Sequence, residues 1–223
     1  MQKFDTPAAI TAVLDVPAGH IKVIAADRAD TTVEVLPANA GNGRDVQAAE
    51  RTTVEFDDGI LRIKAPGESN QILGAFGSIE VTVQLPAGSN VDAKAAGAGF
   101  RGVGRLGTVA SEGALGAVKI DEAASVRVAA HAGDVVVGRL TGPAEISTQK
   151  GGIHIVEATS GTVALRTRMG DVTVGAARGV SARLDAGTGY GRIDNALQNA
   201  EGTAAGLNIH ATTDHGNISA RSL

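Results

Sequence analysis

Between Gly116 and Ala220 a glycine followed by alternating aliphatic residues returns again and again. It reads Gly116-Ala-Val-Lys-Ile120, Gly133-Asp-Val-Val-Val137, Gly151-Gly-Ile-His-Ile155, Gly170-Asp-Val-Thr-Val174, Gly191-Arg-Ile-Asp194 and Gly216-Asn-Ile-Ser-Ala220. Successive glycines lie 17, 18, 19, 21 and 25 residues apart, a drifting period close to one coil of a stacked β architecture. Midway through each interval lies a second alternating run: Val126-Arg-Val128, Ile146-Ser-Thr148, Val163-Ala-Leu165, Ala182-Arg-Leu184 and Leu207-Asn-Ile209. Each unit therefore holds two short strands, and none can bury its apolar side alone, so neighbouring units must stack. The predicted fold is all-β: a single-chain β-solenoid, a β-helix-like stack of two-strand coils. Regular repeats are assigned to residues 91–223 and a less regular N-terminal β region, coils or a cap, to residues 1–90, both in one continuous domain.

Composition agrees with thin coils. The chain of 223 residues has 30 glycines but only 2% aromatics, which suits tight turns and small aliphatic fillers better than a sandwich or barrel core. Inward positions are expected to be the aliphatic ones, from Val118 and Ile120 through Leu184 and Ile193 to Ile218, each worth roughly 1.5–3 kcal/mol when buried. Basic and acidic side chains number 20 and 24, for a net charge of −4, with no run of like charge. That excludes a basic nucleic-acid face, and the scarcity of rings excludes base stacking. Without cysteine there is no disulfide framework, thiolate metal site or thiol nucleophile, and the redox compartment stays open. Met1 to Ala8 lacks the apolar core of an export signal, and no stretch approaches ~18 uninterrupted apolar residues. The expectation is a cytoplasmic chain with no direct membrane insertion.

The N-terminal part has a different texture. Ile10–Val16 and His20–Ile24 read as strands about the turn Pro17-Ala-Gly19, and Thr31–Leu36 as a strand stopped by Pro37. Residues Asn39–Ala49 are polar and aperiodic and read as a surface loop. Thr52–Phe56, the turn Asp57-Asp-Gly59 and Ile60–Lys64 form the clearest hairpin. A glycine-containing loop from Pro66 to Gly74 then leads to the alternating strand Ser78–Leu85 and the turn Pro86-Ala-Gly88.

The strand-Pro-Ala-Gly-strand opening at Leu14–Val23, the strand ending Val83-Gln-Leu-Pro-Ala-Gly88 and the Gly-Asp-Val-x-Val units at Gly133 and Gly170 resemble the bacterial putative-adhesin, or toast-rack, β-strand-repeat family. The resemblance covers most of the chain. It implies a β-solenoid of the kind attached to envelope proteins, with a role in adhesion or envelope sensing and without catalytic residues.

Candidate chemistry is sparse. His210, Asp214 and His215 are the one close ligand-type spacing, yet they surround a turn and read as solvated residues. Asp134 and Asp171 follow their turn glycines; calcium β-rolls need a period half as long and more carboxylates, so these side chains are expected to bond their own turns. Tyr190, the single tyrosine, reads as a packing cover in Gly187-Thr-Gly-Tyr-Gly191. Gly97–Gly107 lacks a P-loop lysine and is explained by turns. No residue is assigned to catalysis, a cofactor or a metal. The functional reading is a non-catalytic scaffold or binding module for a protein or glycan ligand, with a self-assembling structural protein and a polysaccharide-active β-helix enzyme as alternatives. Gln198–Thr203 reads as a loop leaving the stack. The final strand Ile218–Arg221 is expected to be an open edge, making residues 207–223 the contact of a homo-oligomer.

Overall fold

Strands form where aliphatic and polar residues alternate, because alternation places one set of side chains on each face of the pleat. The computed structural model describes residues 1–66 and 77–223, so most of the loop read from Pro66 to Gly74 lies outside the described residues. The chain is all-β, with one α-helix and one 3-10 turn among those residues. Among the described residues no helix is long and apolar enough to cross a membrane. It divides into two units, Met1–Gly116 and Ala117–Leu223.

In the first unit, β1 (Gln2–Asp5), β2 (Thr11–Asp15), β3 (Ala18–Ala26) and β4 (Asp30–Pro37) precede α1 (Gly43–Arg51). They are followed by β5 (Thr53–Asp57), β6 (Ile60–Lys64), β7 (Ile79–Pro86), β8 (Asn90–Lys94) and β9 (Gly97–Glu112). Strand β2 lies between β6 and β8, parallel to both. Likewise β3 lies between β7 and β9, parallel to both. The first coil in the sequence is thus enclosed by later ones. Antiparallel strands continue each row: β4 joins β7 and β1 joins β4, while β5 joins β6. The β5–β6 hairpin turns at Asp58 (φ 46°) and Gly59 (φ 72°), the two positive dihedrals of a type I′ turn.

Two expectations need correction here. Asn39–Ala49 is not a loop throughout, since α1 starts at Gly43, capped by Asn42, whose side chain accepts from the Arg44 N–H. Only Asp45 and Ala48 of this helix are buried, so its apolar period is too faint to see in the sequence. Asp45 fixes the helix by accepting hydrogen bonds from the Asn39 and Ser78 N–H groups at 3.1 and 2.9 Å. Gly97–Gly107 is not a set of turns either. It belongs to the long strand β9, which pairs with β3 and then, beyond Gly104 at φ 78°, with β8.

Lys3 of β1 and Arg28 bind the Asp30 carboxylate at 3.0 and 2.7 Å. Hydrogen bonds from Arg28 first and Lys3 second lower the Asp30 pKa from the ordinary 3.8 to about 2. A carboxylate depressed in the folded state contributes stability above its unfolded pKa, and loses it as pH falls through the folded value. The β1–β4 edge is therefore expected to weaken between about pH 4 and pH 2. Acid unfolding followed by circular dichroism checks this: Asp30→Asn should flatten the fall in stability over that window, and an unchanged profile refutes the assignment.

The second unit contains β10 (Val118–Ala132), β11 (Val135–Leu140), β12 (Ala144–Lys150), β13 (Ile153–Ala158), β14 (Gly161–Met169) and β15 (Val172–Ala176). Then come β16 (Ala182–Tyr190), β17 (Ile193–Ala196), the 3-10 turn Gly202–Ala204, β18 (Leu207–His215) and β19 (Ile218–Ser222). Two rows of parallel strands result. One runs from Val126–Ala132 of β10 through β12, β14 and β18 to β16. The other runs from Val118–Ala123 of β10 through β11, β13, β15 and β19 to β17. Inward aliphatic side chains such as Val118, Val135, Val163, Val172, Leu207 and Ile218 are buried as read from the sequence.

The spatial order departs from the chain order. The last coil, β18–β19, lies between β14–β15 on one side and β16–β17 on the other. Ile218–Arg221 is consequently not an open edge, and residues 207–223 are held by strands on both sides. Among the described residues the free edge belongs to β16 and β17 instead. That position explains why Leu184 is only half-buried and why Ile193 is 46% exposed, against expectation. Among the described residues no further coil lies beyond them to complete their burial.

Candidate functional site

At the corner between the two rows of the second unit, every coil turns on a glycine with positive φ: 119° at Gly133, 139° at Gly151, 154° at Gly170, 153° at Gly216 and 156° at Gly191. In spatial order they form a column. A Cβ on Gly170 would fall inside the Gly151 carbonyl, one on Gly216 inside that of Gly170, and one on Gly191 inside that of Gly216. The recurring glycines are thus required by the close approach of each coil to the next as well as by the turn.

Two hydrogen-bonded ladders flank this column. Just before it, Thr148, Thr167, Thr213 and Thr188 stand in register on neighbouring strands. Thr167 donates to the Gly151 carbonyl at 2.9 Å, Thr213 to Gly170 at 3.0 Å and Thr188 to Gly216 at 2.9 Å. Each of these three hydroxyls therefore satisfies a corner carbonyl of the neighbouring coil, which would otherwise lack this partner at a half-buried turn. Just after the column, Asp134 Oδ1 accepts from the Gly152 N–H at 2.8 Å, Asp171 Oδ1 from Asn217 at 2.7 Å and Asn217 Oδ1 from Arg192 at 3.0 Å. Asp134 and Asp171 do not bond their own turns as expected. They stitch one coil to the next, because the neighbouring turn presents its N–H about one strand spacing away, roughly 4.8 Å.

The residue immediately before each corner glycine points to the rim. Lys150, Met169, His215 and Tyr190 occupy these places in register on successive strands, and all are exposed. The Tyr190 and His215 rings are stacked with centroids 5.0 Å apart and planes 3° from parallel. Tyr190 remains 75% exposed and Met169 54% exposed, so Tyr190 is a surface ring rather than a packing cover. An ammonium, a thioether, an imidazole and a phenol follow one another along the rim, beside the Asp134–Asp171–Asn217 ladder. Such a strip can stack against a flat apolar face and exchange hydrogen bonds with polar groups beside it.

The three residues His210, Asp214 and His215 take separate roles. His210 Nδ1 lies 3.3 Å from Asp185 Oδ2, across the row from the rim, while His215 lies beneath Tyr190. On the outer face of the second row, Lys119, Val136, His154, Thr173, Ser219 and Asp194 follow in register, a surface of mixed chemistry. Sequence reasoning missed the threonine ladder and the rim, although both carry a signal. Thr148, Thr167, Thr188 and Thr213 each stand three residues before a corner glycine, a Thr-x-x-Gly repeat beside the glycine repeat.

Neither the family models nor the curated proteins contain a match to this chain. Solved structures do. A putative adhesin from Bacteroides fragilis superposes with a TM-score of 0.61 at 15% identity, over 98% of this chain and 95% of that one. A putative adhesin from Parabacteroides merdae gives 0.48 at 12% identity, covering 98% and 94%. A putative lipid binding protein from Parabacteroides distasonis gives 0.46 at 11% identity, covering 98% and 95%. At 15% identity the likeness to the Bacteroides fragilis structure is one of fold: this chain shares its all-β fold over nearly the whole length.

Proposed function

We propose that this protein is a non-catalytic binding module in which the two rows of each coil close into a β-solenoid, and that the rim strip Lys150–Met169–His215–Tyr190 contacts the ligand. The observation that carries the reading is the in-register exposure of these four side chains, with two rings already stacked. A rigid column of glycines holds them at fixed spacing, so little conformational entropy is lost on contact. The fold shared with the Bacteroides fragilis adhesin supports the same reading. Function then consists of presenting a regular surface to a protein or a glycan, with the coil stack as scaffold.

A binding screen of the full chain against immobilised glycans and envelope or matrix proteins tests this. The triple variant Lys150→Ala, Met169→Ala, His215→Ala, whose side chains are exposed and not part of the core, is expected to lose about tenfold or more in affinity for whatever ligand is captured. Undiminished binding by that variant, or turnover of a polysaccharide by the wild-type chain, would overturn the reading.

A further inference from the structure

The free edge of β16 has an unusual property: its unsatisfied backbone groups are complementary to themselves. In a parallel ladder alternate residues bond to one side. Here the Leu207 N–H bonds the Ser181 carbonyl at 3.3 Å, so the odd-numbered residues of β16 face β18 and the even-numbered ones face outward. The chain itself closes the two ends of this edge. The Ala182 N–H donates to the Gln198 carbonyl at 3.0 Å, and the Tyr190 carbonyl accepts from the Gly216 N–H at 2.9 Å. Among the described residues, what stays open is both groups of Leu184, Ala186 and Thr188.

We propose that this edge pairs with β16 of a second copy of the chain, antiparallel about a two-fold axis through Ala186. In that register Leu184 meets Thr188′ and Ala186 meets Ala186′, primes marking the second copy. Every open group then finds a partner. The ladder ends at these pairs, because the Gln198 carbonyl already stands against the Ala182 N–H on that side of the edge. Shifting the axis by one residue in either direction leaves groups unpaired or sets a closed group against an open one.

Side chains agree with this register. On the outer face Asp185 stands opposite Gly187′ and Arg183 opposite Gly189′, so no like charges face each other and neither glycine obstructs the approach. Exposed Ile193 of β17 lies on the same free side. An edge left open would instead invite unregulated pairing. This inference replaces the expected contact at residues 207–223 and is independent of the ligand reading above.

Three measurements on the full chain decide it. Light scattering from micromolar concentration upward should give twice the 22.3 kDa monomer mass; a monomer throughout overturns the proposal. A Cβ on Gly187 would meet nothing within 4 Å, so substitution there leaves the monomer intact. Gly187→Asp should weaken the dimer about tenfold by placing a carboxylate opposite Asp185′ twice per dimer, whereas Gly187→Lys should tighten it. The same response to both charges refutes the register. The chain has no cysteine, and paired Cα atoms in a hydrogen-bonded antiparallel pair lie about 5.5 Å apart, within disulfide reach. Ala186→Cys should therefore give a covalent dimer on oxidation, while Thr162→Cys on β14 should not. A dimer that Ala186→Cys fails to trap uses another surface.

Discussion

Gly170→Ala is expected to destabilise the second unit by about 3 kcal/mol, on the order of 10 °C in its unfolding midpoint. Two penalties combine. The φ of 154° at Gly170 is one that side chains rarely adopt, and the new Cβ would occupy the space of the Gly151 backbone. Relief requires the coils to move apart, which strains the Thr167 hydroxyl bond to the Gly151 carbonyl and the Gly151 N–H bond to the Met169 carbonyl. Gly187→Ala is the control. Its Cβ would stand in open space and its φ is not positive, so it should change stability by no more than about 0.5 kcal/mol. Thermal and urea unfolding of the two variants measure the contrast directly. If they unfold alike, the glycine column is not a packing requirement.

The second large effect concerns the order of coils. In a repeat array, removing a terminal unit trims stability modestly, because that unit has one neighbour. Deleting residues 207–223 should act differently here, since β18 and β19 are enclosed by strands on both sides. Leu207, Ile209 and Ile218 are each at most 1% exposed. Losing them removes roughly 5–9 kcal/mol of apolar burial, comparable to the whole stability of an ordinary domain. It also leaves β16 and β17 without a partner strand. The shortened chain is expected to lose ordered β-structure beyond the deleted residues, with new proteolytic cuts between residues 177 and 206. Circular dichroism and limited proteolysis read this outcome. A loss confined to the share of the deleted residues, with an unchanged midpoint, would mean that the last coil is terminal after all.

Of the site only the glycine column was legible along the chain, and the reason is local. The corner glycines repeat because each turn needs a positive φ, and the strands repeat because a two-residue period exposes one face and buries the other. The type I′ hairpin at Asp58 and Gly59 could be read for the same reason. By contrast, α1 was hidden: a polar helix fixed through Asn42 and Asp45 leaves almost no apolar period. Tyr190 looked like a packing cover because nothing nearby in the sequence says that its coil has no neighbour beyond it.

By itself, then, the sequence determined where most of the strands are, which glycines turn them and, apart from Leu184 and Ile193, which aliphatic side chains are buried. Only the tertiary structure decided which coil lies beside which. Every coil presents nearly the same alternation of aliphatic residues to its neighbours, so β14 could accept β16 or β18 with equal satisfaction of its apolar row. The choice falls to long-range differences. The coil of Leu207, Ile209, Ala211, Ile218 and Ala220 is rich enough in aliphatic side chains to be buried from both sides. The coil of Leu184, Gly187, Gly189 and Ile193 is poorer and is left at the edge, where the threonine and Asx ladders stop and the open backbone of β16 begins.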